Sequence, residues 1–220
     1  MHLRSKAYSI ITLFVAAFTA LFISCSQNTP ELDSKDYSVV FDYTSEETPP
    51  SARLSIFASS SSDVRRYQRI KIVSVETGYI WDTQFLSKLE ADGMQWAGCT
   101  NLVAPEGEKL PSGSYDITYY NADEKEFSIS IDVNYDTELY EVLLPALPEF
   151  MYKRQGIENL AVYDKEHSLI YFGERSELRT TRDIWNSYRE AETYQVIWYT
   201  PKGNVICVTP EKPVAPEITE

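Results

Sequence analysis

The chain has 220 residues, a formal charge of −13 and 43% hydrophobic residues. That is enough apolar material to bury the core of one large or two small domains, and it excludes global disorder. The excess of 33 acidic over 20 basic residues argues against nucleic acid as a partner, because phosphate binding needs a basic surface.

The first element is apolar. Arg4 and Lys6 precede Ala7–Ser24, a stretch with no charged residue that runs up to Cys25. A basic end, an apolar run and a small residue before the cysteine follow the logic of a secretory leader. Phe22, Ile23, Ser24 and Cys25 resemble the lipobox of bacterial lipoproteins; Ile23 and Ser24 fit it, and Phe22 stands where leucine is usual. The resemblance implies that residues 1–24 are removed as a signal peptide. It also implies a lipid anchor on Cys25, a diacylglycerol thioether with palmitate-type chains, that holds the mature protein at a membrane of the cell envelope. Ser26, rather than Asp, after the cysteine fits outer-membrane delivery, on either the periplasmic or the surface face. An uncleaved membrane anchor or an ordinary signal peptide is the alternative. Loss of Arg4 and Lys6 with the leader takes the charge from −13 to −15.

Residues 25–36 are polar and read as a tether. From residue 37 the chain is rich in β-branched and aromatic runs. Tyr37–Tyr43, Arg53–Ala58 and Tyr67–Val75 read as strands, and Ser59–Asp63 as a loop. Thr83–Asp92, with Phe85, Leu86 and Leu89 followed by Gly93, reads as a short helix. Tyr115–Tyr120 and Phe127–Val133 form a hairpin. In its second run Phe127, Ile129, Ile131 and Val133 alternate with polar residues, as a half-buried antiparallel strand requires. Leu143–Gly156, punctuated by Pro145 and Pro148, has no clear period and marks a boundary. Two more hairpins follow, Leu160–Tyr163 with Leu169–Phe172 and Tyr194–Tyr199 with Val205–Val208; the second turns through Pro201 and Gly203. Between them Thr181 caps a short helix that places Ile184, Trp185, Tyr188 and Ala191 on one face. Thr209–Glu220, with Pro210, Pro213 and Pro216, reads as a disordered acidic tail.

These elements predict a mainly β fold, an antiparallel sandwich with one or two short helices. Residues 37–145 form the sandwich domain. Residues 146–208 are either a second, similar β module or a continuation of the same sandwich; the likeness of Tyr115–Tyr120 to Tyr194–Tyr199 suggests the former. Leu110, Pro111, Ser112, Gly113 and Ser114 leading into Tyr115 resemble the entry to a late strand in immunoglobulin-like and fibronectin type III domains. That resemblance implies a tyrosine corner, in which the ring of Tyr115 enters the core and its hydroxyl bonds the backbone upstream.

The search for chemistry yields little. His2 leaves with the leader, so His167 is the single histidine of the mature chain, and it lies in a polar hairpin turn rather than beside a nucleophile elbow. Neither a zinc pattern nor a phosphate-cradling glycine loop is present. Asp132, Asn134, Asp136 and Glu138 resemble the start of a calcium loop, but Thr137 replaces its glycine and Leu143 its closing glutamate. Arg65, Arg66, Arg69 and Lys71 are the one basic cluster and read as a solvated strand face. Cys99 and Cys207 are the candidate pair for one disulfide in an oxidising compartment, provided that their Cα atoms come within about 7 Å. Trp81, Trp185 and Trp198 sit in apolar contexts; Trp96, beside Gly98, is the candidate for stacking on a glycan. The sequence therefore predicts neither an enzyme nor a cofactor or metal. It predicts an envelope lipoprotein that contacts another envelope or host protein, with a tethered glycan- or peptidoglycan-binding module as the alternative.

Overall fold

In the computed structural model, which describes residues 32–60, 64–123 and 125–214, the alternating and β-branched runs become strands. The first eight are β1 (Leu32–Asp42), β2 (Ser51–Ser60), β3 (Tyr67–Ser74), β4 (Ile80–Thr83), β5 (Ser87–Ala91), β6 (Met94–Val103), β7 (Gly113–Asn121) and β8 (Glu126–Val133). A short helix, α1 (Leu147–Lys153), leads to β9 (Ile157–Asp164) and β10 (Leu169–Glu174). A second, α2 (Thr181–Ser187), leads to β11 (Ala191–Tyr199), β12 (Val205–Val208) and β13 (Lys212–Pro213).

The strands form two sheets. The larger has nine strands in the order β10-β9-β11-β12-β1-β2-β6-β5, with β13 added beside β11, and the smaller runs β4-β3-β7-β8. The fold is thus mainly β, a two-sheet sandwich with two short helices. Its pairings are antiparallel except one: β1 lies parallel to β12, with Val39 opposite Val205 and Phe41 opposite Cys207. The strands after α1 all join the larger sheet, so β7 and β11, whose sequences look alike, belong to different sheets.

The sheets face each other across one hydrophobic cluster that includes Phe41, Leu54, Ile56, Ile70, Ile72, Ile117, Tyr119 and Val133. Tyrosine hydroxyls tie the layers together: the buried Tyr119 donates to the Ala97 carbonyl at 3.0 Å and the more exposed Tyr37 to that of Asp132 at 2.6 Å. A smaller cluster forms where α2 lays Ile184 against Leu160 and Val162 of β9.

The predicted corner is present. Tyr115 is fully buried and its hydroxyl donates to the Pro111 carbonyl at 2.6 Å. Two more tyrosines clasp the same turn: the Tyr140 hydroxyl accepts the Leu110 amide at 2.9 Å, and Tyr135 donates to the Leu110 carbonyl. Burial pushes the Tyr115 and Tyr135 hydroxyls well above the usual phenol range, so both remain donors. Tyr115→Phe is expected to lower stability by about 1–3 kcal/mol, because a sheltered carbonyl loses its donor. A urea midpoint unchanged from wild type would contradict this.

Five boundaries differ from the sequence reading. Thr83–Asp92 is not a helix, because Asp92 and Gly93 take φ of 53° and 72° and close a two-residue hairpin between β5 and β6. The helical spacing of Phe85 and Leu89 was incidental, and Phe85 is 88% exposed. Helix α1 has weak periodicity but strong ends: Pro148 lies in its first turn, and Gln155 at φ 59° lets the Gly156 amide reach the Met151 carbonyl at 2.8 Å. The cap of α2 is Thr180 rather than Thr181, in a reciprocal capping box with Asp183. The fold also begins earlier and ends later than expected. Residues 32–36, assigned to the tether, pair with β2. Residues 209–214, assigned to the tail, run along β11: Thr209 exchanges bonds with Val196, and the Val214 amide reaches Glu192. Val214 is buried. Residues 215–220 lie outside the described part.

Candidate functional site

Cys25, the lipid-attachment candidate, lies outside the described residues. Cys99 is half-buried on β6 and Cys207 is buried on β12, and both are free thiols. Strands β1 and β2 lie between them in the sheet. Three strand spacings amount to about 14 Å, twice the Cα reach of a disulfide. The candidate disulfide is therefore corrected to two separate thiols. Burial pushes the Cys207 thiol up to about 12, so it is inert in the folded state. Thiol titration of the unreduced, denatured chain is expected to count two thiols besides an acylated Cys25, with Cys207 unreacted before denaturation.

The aromatic candidates do not form a platform. Trp198 is buried and Trp81 donates to the Val103 carbonyl at 2.8 Å. Trp185 lies under Arg189, whose guanidinium carbon is 5.4 Å from the ring centroid. Trp96 is half-buried, opposite Leu89 of β5 and Ser59 of β2. Its neighbour Ala97 faces the core, so Trp96 points away from the smaller sheet.

The polar candidates are engaged locally. His167 sits at the β9–β10 turn with φ 60° and stacks on Tyr163, with ring centroids 4.7 Å apart. Its Nε2 lies 2.8 Å from Glu211, which also accepts the Thr193 hydroxyl. The hydrogen bond with His167 holds the Glu211 carboxyl below its usual range. Asp132 accepts from the Ser114 hydroxyl, whereas Asp136 pairs with Arg154 and accepts the Glu138 amide. The oxygens of the supposed calcium loop thus turn to different partners. Arg69 pairs with Asp82 at 2.8 Å and covers the Tyr120 ring.

The structure reveals a site that the sequence reading missed. Between α1 and β11 lies a cleft of about 280 Å³, walled by Leu144, Leu147, Pro148, Tyr194, Val196 and Trp198. Glu158 and Arg175 pair at 2.7 Å at its floor. The same pair borders a more open cleft of about 710 Å³, shared with Tyr152, Ser176 and Arg179. The enclosed cleft falls just below the usual range for small-molecule pockets, roughly 300–1,000 Å³. Glu158 and Arg175 neutralise each other, and the Thr209 hydroxyl at the rim accepts the Val196 amide. The arrangement offers recognition rather than proton transfer. A signal was present in the sequence: strand alternation puts Glu158 on the same face as the core residues Leu160 and Val162, a place where an unpaired carboxylate would be costly.

No protein-family model matches the chain, and no curated protein matches it either.

Proposed function

We propose that this chain is a lipid-anchored protein of a bacterial cell envelope whose β-sandwich binds another protein and catalyses no reaction. The observation that carries the reading is the uncharged stretch Ala7–Ser24 ending in Ile23-Ser24-Cys25, followed by a strand that starts at Leu32. Two or three acyl chains on Cys25 anchor a protein stably, whereas one does not. A tether of so few residues spans at most about 20–25 Å, which keeps the sandwich close to the bilayer. The sole histidine of the mature chain is committed to Tyr163 and Glu211 at a hairpin tip, a poor place for a general base. Sheet faces and edges, by contrast, present binding surfaces without catalytic groups.

The test is metabolic labelling with a palmitate analogue. The wild-type chain is expected to carry label in the membrane fraction. Cys25→Ala is expected to lose the label and to leave that fraction. Label retained by the alanine variant would overturn the anchor.

A further inference from the structure

We infer that the open edge of β10, together with the cleft between β10 and α2, binds an extended cationic segment of a partner protein by strand addition. This deepens the protein-binding reading above and rests on it.

The sheet edges differ in how they are guarded. Strand β4 has four residues, and its Asp82 is held by Arg69. Strand β5 presents Lys88, which donates to the Arg65 carbonyl. On β8 the Ser130 and Asp132 carbonyls accept from Lys35 and Tyr37 of β1. Shortness, charge and coverage are the usual defences of an edge. Strand β10 reads Leu169-Ile170-Tyr171-Phe172-Gly173, with neither charge nor proline before Glu174. Leu169 and Phe172 are each 54% exposed.

The ladder shows what the edge offers. Gly173 lies opposite Leu160 and Tyr171 opposite Val162, and the Arg175 amide reaches the Glu158 carbonyl. Alternation then turns the amide and carbonyl of Phe172 and the amide of Glu174 away from β9. The outward carbonyl of Glu174 already accepts the Tyr171 hydroxyl at 2.9 Å. An amide, carbonyl and amide at strand spacing, without a partner among the described residues, specify an extended backbone, and pockets for alternate side chains specify its sequence.

Such a pocket adjoins the edge. A cleft of about 320 Å³ is floored by Tyr171, Leu178 and Tyr188 and rimmed by Glu177 and Asp183. Aromatic walls suit the aliphatic stem of a lysine or arginine, and the two carboxylates suit its charged head. Carboxylates outnumber cations beside the strand and the cleft: Asp164, Glu166, Glu174, Glu177 and Asp183 stand against Lys165, Arg175, Arg179 and Arg182, of which Lys165 lies beside Glu166 and Arg175 is held by Glu158. A second copy of this chain, itself strongly acidic, would bring like charges together and is disfavoured.

The test uses the full-length chain in detergent micelles and a fluorescein-labelled octapeptide of alternating valine and lysine. Fluorescence anisotropy is expected to show saturable binding. An alternating valine–glutamate peptide is expected not to bind. Phe172→Pro removes an outward amide without touching the β9 ladder and is expected to weaken binding at least tenfold. Phe172→Lys keeps the backbone, opposes the peptide's charge, and serves if the proline variant melts early. Glu177→Gln is expected to weaken binding severalfold. Absence of saturable binding by the wild type, equal binding of both peptides, or wild-type affinity in both folded Phe172 variants would overturn the inference. So would concentration-dependent dimers lost in Phe172→Pro, because the occupant would then be a second copy. Palmitate labelling of Cys25 is independent of all these outcomes, so failure of the edge and failure of the anchor are read separately.

Discussion

Gly98→Ala is expected to destabilise the fold by about 4 kcal/mol or more, among the larger effects of single substitutions. Gly98 sits in β6 opposite Phe57 of β2. A Cβ built there lies 2.0 Å from the Ile56 carbonyl oxygen and 2.6 Å from the Phe57 ring. The ring can swing, but the oxygen belongs to the neighbouring strand's backbone. Relief requires β2 and β6 to separate, one strand in from the β5 edge of the larger sheet. There the carbonyl of Ala97, the preceding residue, accepts the buried Tyr119 hydroxyl. The damage therefore reaches the contact between the sheets. For a domain of this size the melting temperature should fall by about 10 °C or more. Gly78→Ala is the control: Gly78 has φ +70° and open space around it, so it should cost only about 1 kcal/mol of backbone strain. Similar melting temperatures for the two variants would show that β2 yields more easily than its register suggests.

The second large effect is at Trp198. The residue is buried on β11, paired with Cys207 of β12 and Glu158 of β9, and it meets the edge of Tyr152 from α1 at 4.9 Å. It also walls the enclosed cleft, so truncation would merge the space it fills with a void already present. Trp198→Ala is expected to cost about 3–5 kcal/mol, and the upper half of that range is favoured because the site cannot collapse onto an existing opening. Trp198→Phe should recover much of the loss by restoring a ring against Tyr152. Calorimetry on both variants checks this; equal melting temperatures would mean that the indole's volume matters little there. Because Trp198 also stands over the Glu158–Arg175 pair, the alanine variant should admit water to it and make stability more sensitive to salt.

What could be read from the sequence was local. Alternation in Phe127–Val133 specified β8 to within one residue, because a period of two turns every second side chain to the same face. The Pro111-to-Tyr115 spacing specified a corner, because ring and hydroxyl must be satisfied together. What could not be read depends on partners distant in sequence. Residues 209–214 look like a polar, proline-rich tail, yet Thr209 and Val214 find acceptors and cover along β11. Cys99 and Cys207 look like a possible pair in the sequence, and only strand order shows β1 and β2 standing between them. Glu158 and Arg175 are ordinary charges until β9 and the turn after β10 bring them together. The Thr83–Asp92 error was one of competition. Three apolar residues at helical spacing lost to one Asp-Gly turn, because the turn gives Ser87–Ala91 a paired strand in Met94–Gly98 of β6.

The parallel pairing of β1 with β12 has a consequence for the order of folding. The Val39 amide bonds the Asn204 carbonyl and the Tyr43 amide bonds that of Val208. These acceptors arrive some 165 residues after their donors in a chain threaded N-terminus first. Strand β2 can cover one flank of β1 at once, but the other flank waits for nearly the whole chain. Contacts of such sequence separation slow folding. The first strand to emerge is thus the last to be sealed, and the larger sheet closes only when its C-terminal strands have arrived.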